Sequence, residues 1–264
     1  MNVCVQVIDV PDILTRRTFG RSRRCYDVTV DVTRGGVAAN VDPRAQPAYT
    51  LTEAAHHLRL SPGTLRSWIV GRPYPTAGGL RTSGPLVKAA RAQPATLSFW
   101  NLVEAHVLRA LRTEHGVSVA ALRKALRYAE KELEIEKLLL REDLLTDGGR
   151  VLLERYGELI DLSNSGQLAM RRVLEAHLRR VEWDPSRLPA RFFPFLSSES
   201  GAESRAVAID PRVAFGRPVL QSVGVSTQVI ADRLDAGEAV ADLALDYGVS
   251  TAEVEQAVLY ERAA

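Results

Sequence analysis

YTLTEAAHHLRLSPGTLRSWIVG, residues 49–71, divides at Ser61-Pro62 into two helix-forming halves. Ser61 is a good N-cap because its hydroxyl can accept from a backbone N–H in the turn that follows. Pro62 takes the first helical position, where its missing N–H costs nothing. Two short helices joined by a tight turn follow from this pattern. A helix-turn-helix needs a small residue where the helices meet, a turn residue four positions later and an apolar core residue six beyond that. Ala55, Arg59 and Leu65 stand at those positions.

The same spacing returns near the other end of the chain as Ala244, Gly248 and Val254, with the turn glycine that the first copy lacks. By backbone pattern alone the second copy is the better match. Charge reverses the order for DNA. From Tyr49 to Arg91 there are six basic residues (Arg59, Arg66, Arg72, Arg81, Lys88, Arg91) and one acid, Glu53, which leaves +5. From Thr227 to Ala264 eight acids face two bases, which leaves −6. Phosphate neutralisation supplies most non-specific DNA affinity, so the front copy can approach a duplex. The rear copy presents Glu253 and Glu255 at the start of its second helix and would be repelled. For the front copy a helical hairpin with a solvated basic face is the other account. For the rear unit the accounts are a basic partner surface and a solvated helical cap.

Outward from these units the chain reads as five segments. Residues 1–46 form an N-terminal extension with no assigned role. Residues 47–143 form a helix-turn-helix domain, a loop or loose β-wing rich in Gly and Pro over 71–96, and a helical extension with an apolar stripe at Leu102, Val103, His106, Val107, Ala110 and Leu111. Turn signals at Asp147-Gly148-Gly149 and Gly157 predict a small β-hairpin within 144–183, followed by a helix from about Leu168 to Val181. Residues 184–205 look like a linker with one short strand around Phe192–Leu196. Residues 206–264 form an acidic helix-turn-helix-like module, with two β segments around Asp210-Pro211 and helices at Thr227–Ala236, Ala239–Tyr247 and Thr251–Tyr260. The expected fold is mainly α with small β elements: a winged helix-turn-helix domain plus a C-terminal three-helix domain.

Composition narrows the function classes. The 264 residues carry a net charge of +2, which excludes a histone-like polybasic protein. Only Cys4 and Cys25 could serve a disulfide or thiolate site, so neither a disulfide framework nor a cysteine zinc site is expected. No signal peptide and no apolar run near the length of a membrane span is visible, so the expected compartment is the cytoplasm. No phosphate-binding glycine loop, HExxH or GxSxG is present, so no catalytic residue, metal site or cofactor is expected. His106, His115 and His177 fall on helical patterns and read as packed or surface residues; Asp210 reads as an Asx turn.

The stretch 49–71, with Thr64-Leu65-Arg66 in its second helix and LSFWNLVEAHVLRALRTEHGVSVAALRKAL after the wing, resembles the MerR-like winged helix-turn-helix family over about residues 49–128. That resemblance implies that Thr64, Arg66, Ser67 and Trp68 face a DNA groove or its phosphates, with Arg81 nearby on the wing. With Arg59 and Arg72 from the basic patch, the candidate DNA-binding residues are Arg59, Thr64, Arg66, Ser67, Arg72 and Arg81; Trp68 would also pack the helix onto the core. Metal-sensing members bind through cysteines near a dimerisation helix, and none occur there.

The segment IDPRVAFGRPVLQSVGVSTQVIADRLDAGEAVADLALDYGVSTAEVEQAVLYE resembles the domain-of-unknown-function family 433 at Asp210, Pro211, Phe215, Gly216, Arg217, Pro218, Gly237, Ala244 and Tyr247. The two modules in this order are similar to VapB-type antitoxins. That likeness implies a PIN-like ribonuclease toxin as partner, operator DNA as the second partner, a homodimer or a larger toxin–antitoxin complex, and no membrane. Candidate partner-binding residues are Asp210, Phe215, Gly216, Arg217 and Pro218. A stand-alone regulator sensing a small ligand through residues 97–180 is the alternative.

Overall fold

The computed structural model describes residues 42–113, 119–132, 137–141, 175–194 and 205–263, and residues 40–264 form one compact unit. The expected β-hairpin at 146–163, the cap at Ser118, His115 and both cysteines lie outside the described residues.

Helix α1 (Leu51–Leu58) begins on Thr50, whose hydroxyl accepts from the Glu53 N–H while the Glu53 carboxylate accepts from the Thr50 N–H at 2.8 Å. Such reciprocal caps contribute about 1 kcal/mol. Helix α2 (Pro62–Ile69) begins on Ser61, which accepts from the Thr64 N–H at 3.2 Å. Between them Arg59 adopts the left-handed conformation (φ 49°, ψ 48°), the same role that Gly248 plays in the rear copy at φ 65°. A side chain there costs on the order of 1 kcal/mol that glycine does not incur.

The expected wing is a hairpin of β2 (Pro73–Thr76) and β3 (Gly79–Thr82) turning at Ala77-Gly78. The chain then returns through β4 (Thr96–Leu97), which pairs antiparallel with β1 (Tyr49–Thr50).

Helix α3 (Phe99–Thr113) departs from the expected single stripe. Phe99, Leu102, Val103, Ala105, His106, Val107, Leu108, Ala110 and Leu111 are all buried. Helix α1, β4, a 3₁₀ turn at Leu138–Leu140 and a later strand all pack on it, so α3 is the central helix, and a helix enclosed all round loses its polar face. His106 is 1% exposed, its Nε2 lies 3.1 Å from the His177 carbonyl and its ring packs on Phe192. Burial holds its pKa down to about 3. Helix α4 (Val119–Glu132) follows, and the Arg123 guanidinium donates to the Gly84 carbonyl at the base of the wing.

A four-stranded antiparallel sheet runs β5 (Val181–Trp183), β6 (Pro189–Phe192), β7 (Val207–Ile209), β8 (Pro218–Leu220) in chain order. It crosses the expected linker: 184–205 supplies β6, three residues ahead of the expected strand at Phe192–Leu196. The earlier position is set by a turn at Asp184–Leu188, in which the Asp184 N–H donates to the Leu188 carbonyl and starts the β5–β6 pairing. The expected helix to Val181 gives way to β5 at that residue. Residues 42–46, expected to be part of the extension, are clamped to the same turn. Arg44 is 7% exposed and ion-paired to Asp42 and Asp184 at 2.6 Å each, and donates to the Pro189 carbonyl.

The sheet joins two cores. One gathers α1, α2, α3, Phe192 and Ile209; the other gathers Val207 and Leu220 with helices α5 (Thr227–Asp235), α6 (Val240–Tyr247) and α7 (Thr251–Arg262). The fold is mainly helical with small β elements.

Candidate nucleic-acid interface

Helix α2 divides its residues cleanly. Leu65, Trp68 and Ile69 are buried, which turns Gly63, Thr64, Arg66 and Ser67 outward. Trp68 lies beneath that outward face rather than on it. It is 1% exposed, and its carbonyl accepts from the Leu86 and Val87 N–H groups, pinning the segment after the wing onto the helix. The packing role expected for it is the one it has.

A shallow groove of about 500 Å³ is lined by Ser61, Gly63, Thr64, Arg66, Ser67, Gly71, Arg72 and Pro73, with Trp68 at its floor and Arg112 from the end of α3. Arg66 and Arg72 are exposed, and Ser67 Oγ donates to the Thr64 carbonyl at 2.7 Å. Arg72 sits at the wing base because its N–H donates to Ser83 Oγ and its carbonyl accepts from the Ser83 N–H. This close approach needs Gly71 (φ +94°): a Cβ there would lie 1.9 Å from the Ser83 carbonyl oxygen. Arg81 is exposed on β3 opposite Tyr74, further out on the wing.

Of the six candidates the structure gathers Thr64, Arg66, Ser67 and Arg72 in one groove and holds Arg81 on the adjoining hairpin. Arg59 is elsewhere. As the left-handed cap of α1 it is half-buried and lines a separate cavity with Thr52, Ala55, His56, Leu60, Pro62 and Ala263. Burial lowers its pKa. Arg112 was missed; it stands at the end of α3, more than forty residues on from α2 in sequence, and only the folded chain brings it to the groove.

The rear helix-turn-helix is built differently. Helix α7 buries Val254, Ala257, Val258 and Tyr260. Glu253 is consumed locally: its carboxylate accepts from Ser222 Oγ at 2.6 Å and from the Ser250 cap, which hold its pKa below the usual carboxylate range. Where α7 meets α1, the Tyr260 hydroxyl lies 2.7 Å from His57 Nδ1 and Glu261 lies 3.9 Å from His56. Burial beside His56 depresses the His57 pKa to about 4 and raises that of Tyr260.

The segment 210–218 mixes buried and exposed groups. Asp210 is 7% exposed; it accepts from the Arg212 N–H at 2.9 Å, the Asx turn expected of it, and from Arg191 at 3.2 Å. Gly216 is buried against Tyr49, whose hydroxyl donates to the Gly216 carbonyl at 2.8 Å, and Pro218 is buried in β8. Phe215 and Arg217 point into solvent.

A second cavity, of about 600 Å³, lies between the wing's return and the helices, bounded by Lys88, Trp100, Asn101, Glu104, Glu130 and Lys137. Glu104 accepts from Asn101 Nδ2, and burial raises its pKa. Among the described residues no group of three or more His, Cys, Asp or Glu could hold a metal ion, and no helix is long and apolar enough to cross a membrane.

Two family profiles match the chain: one described as "Putative DNA-binding HTH domain" over residues 47–126, and one described as a protein of unknown function, DUF433, over residues 207–260. A protein of Mycobacterium tuberculosis strain H37Rv, "Putative antitoxin VapB45", is 30% identical over 229 residues, which is 80% of this chain and 92% of that protein. The crystal structure of Rv2018 from Mycobacterium tuberculosis superposes with a TM-score of 0.59 at 25% identity, over 81% of this chain and 98% of that one.

Proposed function

From the premise that the chain belongs to the family of antitoxin VapB45, we propose that it is the antitoxin of a type II toxin–antitoxin pair. It represses its own operon by binding operator DNA and neutralises a PIN-like ribonuclease. Functionally the chain divides into a DNA module at 47–143, a connecting segment at 144–183 with 184–205 leading out of it, and a partner module at 206–264. The observation that carries the DNA half is the groove in which Thr64, Arg66, Ser67, Arg72 and Arg112 meet at the outward face of α2 while Trp68 anchors that helix from behind.

The mechanism is electrostatic placement followed by readout. The basic patch releases counterions from the duplex, and α2 enters the major groove with Thr64, Arg66 and Ser67 foremost. Arg66 reaches a guanine edge or a phosphate; Arg72, Arg81 and Arg112 hold flanking phosphates. A homodimer places two such units on successive major grooves of a near-palindromic operator. The rear copy binds no DNA, since α7 is packed on α1 and its acids repel phosphate. The reading assigns no catalytic residue and a cytoplasmic site of action.

The test is a gel shift of the DNA upstream of the chain's own gene, with and without the product of the neighbouring gene. Preference over random DNA, tightened by that product, is the expected result; equal affinity for both DNAs counts against the proposal. A ligand-responsive regulator is the second reading. It is favoured by the cavity of about 600 Å³ beside the half-buried Glu104, and isolation of the chain with no toxin gene beside its own would select it.

A further inference from the structure

The turn Val213–Arg217 holds one aromatic ring in solvent against the preference of its own backbone. Ala214 (φ 47°), Phe215 (φ 56°) and Gly216 (φ 78°) are three successive left-handed residues, and only the last is a glycine. Phe215 is 92% exposed, so nothing in the fold's interior requires a phenyl ring there. Strain of this kind persists only where the surroundings over-determine it. Here they do: Gly216 N–H donates to the Val213 carbonyl, Arg217 N–H to the Ala214 carbonyl, and Tyr49 ties Gly216 from the side of the DNA module.

Arg217 stands next to the ring. It is exposed, and among the described residues no hydrogen bond or ion pair holds its guanidinium; Glu53 across a cleft of about 780 Å³ feels its charge. The far wall of that cleft is α1, through Thr52, Glu53 and His56. We infer that Phe215 and Arg217 are the anchor pair by which the C-terminal module grips its protein partner, while Asp210, Gly216 and Pro218 act only from inside, by holding the pair in place. This deepens the antitoxin reading and rests on it. Aromatic and arginine side chains dominate binding hot spots, and an anchor already fixed in its bound conformation loses little freedom on binding. The occupant is a protein surface with an apolar socket for the ring and a carboxylate at its rim, which a guanidinium fork matches in two hydrogen bonds. DNA is disfavoured, because Glu53 and Glu261 also line the cleft.

The experiment uses the full chain and the purified product of the neighbouring gene, with affinity read by titration calorimetry. Phe215→Gly suits the left-handed backbone and removes no buried surface, so the melting temperature holds or rises and operator affinity is unchanged. Toxin affinity falls by at least about thirty-fold, the size of a hot-spot loss, and Arg217→Glu falls as far. Phe215→Gly binding within about two-fold of wild type overturns the inference. Loss of self-association in Phe215→Gly on light scattering, with toxin affinity intact, overturns it by giving the ring to a second copy of the chain. Failure of the unaltered chain to bind refutes the antitoxin reading itself, a result distinct from loss in the variants alone.

Discussion

Alanine at Arg66 and alanine at Arg59 separate the groove from the basic patch as a whole. Both residues carry one positive charge within the front helix-turn-helix, so charge counting treats them alike. The structure does not. Arg66 is exposed on the outward face of α2 beside Arg72 and Arg112, whereas Arg59 is half-buried over the cavity that Ala263 closes. Each phosphate contact contributes about 0.9 to the slope of log affinity against log salt. In a dimer Arg66→Ala removes two contacts, so the slope should shrink by about 1.8, and by nothing for Arg59→Ala. If Arg66 reads a guanine edge, affinity at fixed salt also falls by about 1–3 kcal/mol per site, roughly five- to 150-fold. The assay is fluorescence anisotropy on operator DNA from about 50 to 200 mM salt, the range over which counterion release is steep. Arg66 touches no core, so Arg66→Ala should melt within about 0.5 kcal/mol of wild type, which excludes unfolding as the cause. Equal slope losses for the two variants, or none for Arg66→Ala, would refute the assignment of α2 as the reading helix.

Gly71→Ala should cost both stability and operator affinity, because its Cβ meets the Ser83 carbonyl oxygen at 1.9 Å and the wing must move; a loss of at least about 2 kcal/mol in denaturant melts is expected. Arg44→Ala leaves Asp184 and Asp42 without their shared cation and should destabilise by about 3 kcal/mol in the same melts, with DNA affinity of the folded fraction unchanged. Arg59→Gly relieves the left-handed side chain and should raise stability by about 0.5–1 kcal/mol, less whatever its stem contributes to the cavity wall. Stability should also rise with pH between about 4 and 6.5. The unfolded His57 imidazole binds its proton near 6.5 and the folded one only near 4, so acid favours the unfolded chain and the full contribution is present above 6.5. His57 alone accounts for roughly 3 kcal/mol across that window, and His106 acts in the same direction. A flat profile of melting temperature over the window would show that neither ring is buried neutral.

Local rules made the helices legible and contact rules decided the rest. Ser61-Pro62, Thr50 with Glu53, and Ser250 with Glu253 mark helix starts through bonds that span three residues, and such bonds can be read from spacing alone. The wing followed from its glycines and prolines. What spacing could not show is who packs on whom. The stripe on α3 predicted one buried face, yet β6 and the turn at Leu138–Leu140 close over the others. Arg44 fell in an extension with no assigned role, because its partner Asp184 stands 140 residues away. At the site, Thr64, Arg66 and Ser67 were legible because they share a helix face. Arg112 was not, and Arg59 was misplaced, because a formal charge carries no direction.

The two helix-turn-helix copies show why a motif does not fix a use. Both turn on a left-handed residue, Arg59 in one and Gly248 in the other, and both bury an apolar residue six positions on, Leu65 and Val254. They part at the second helix. In the front copy Trp68 and Leu65 take one side of α2 inward and leave the N-terminal turn bare. In the rear copy Ser222 and Ser250 occupy Glu253 at the equivalent turn, and Tyr260 and Glu261 at the other end of α7 meet His57 and His56 on α1. The rear copy's second helix is thus spent on holding the two modules together. Its contacts fall on the side of α1 that also forms the cleft below Phe215, so a protein seated on that ring would press on the helix that supports the DNA-reading one. In Tyr49→Phe, which cuts only the hydroxyl bond to Gly216, toxin and operator should each still bind, while the effect of toxin on operator affinity shrinks. An unchanged effect would mean that the modules act independently across this seam.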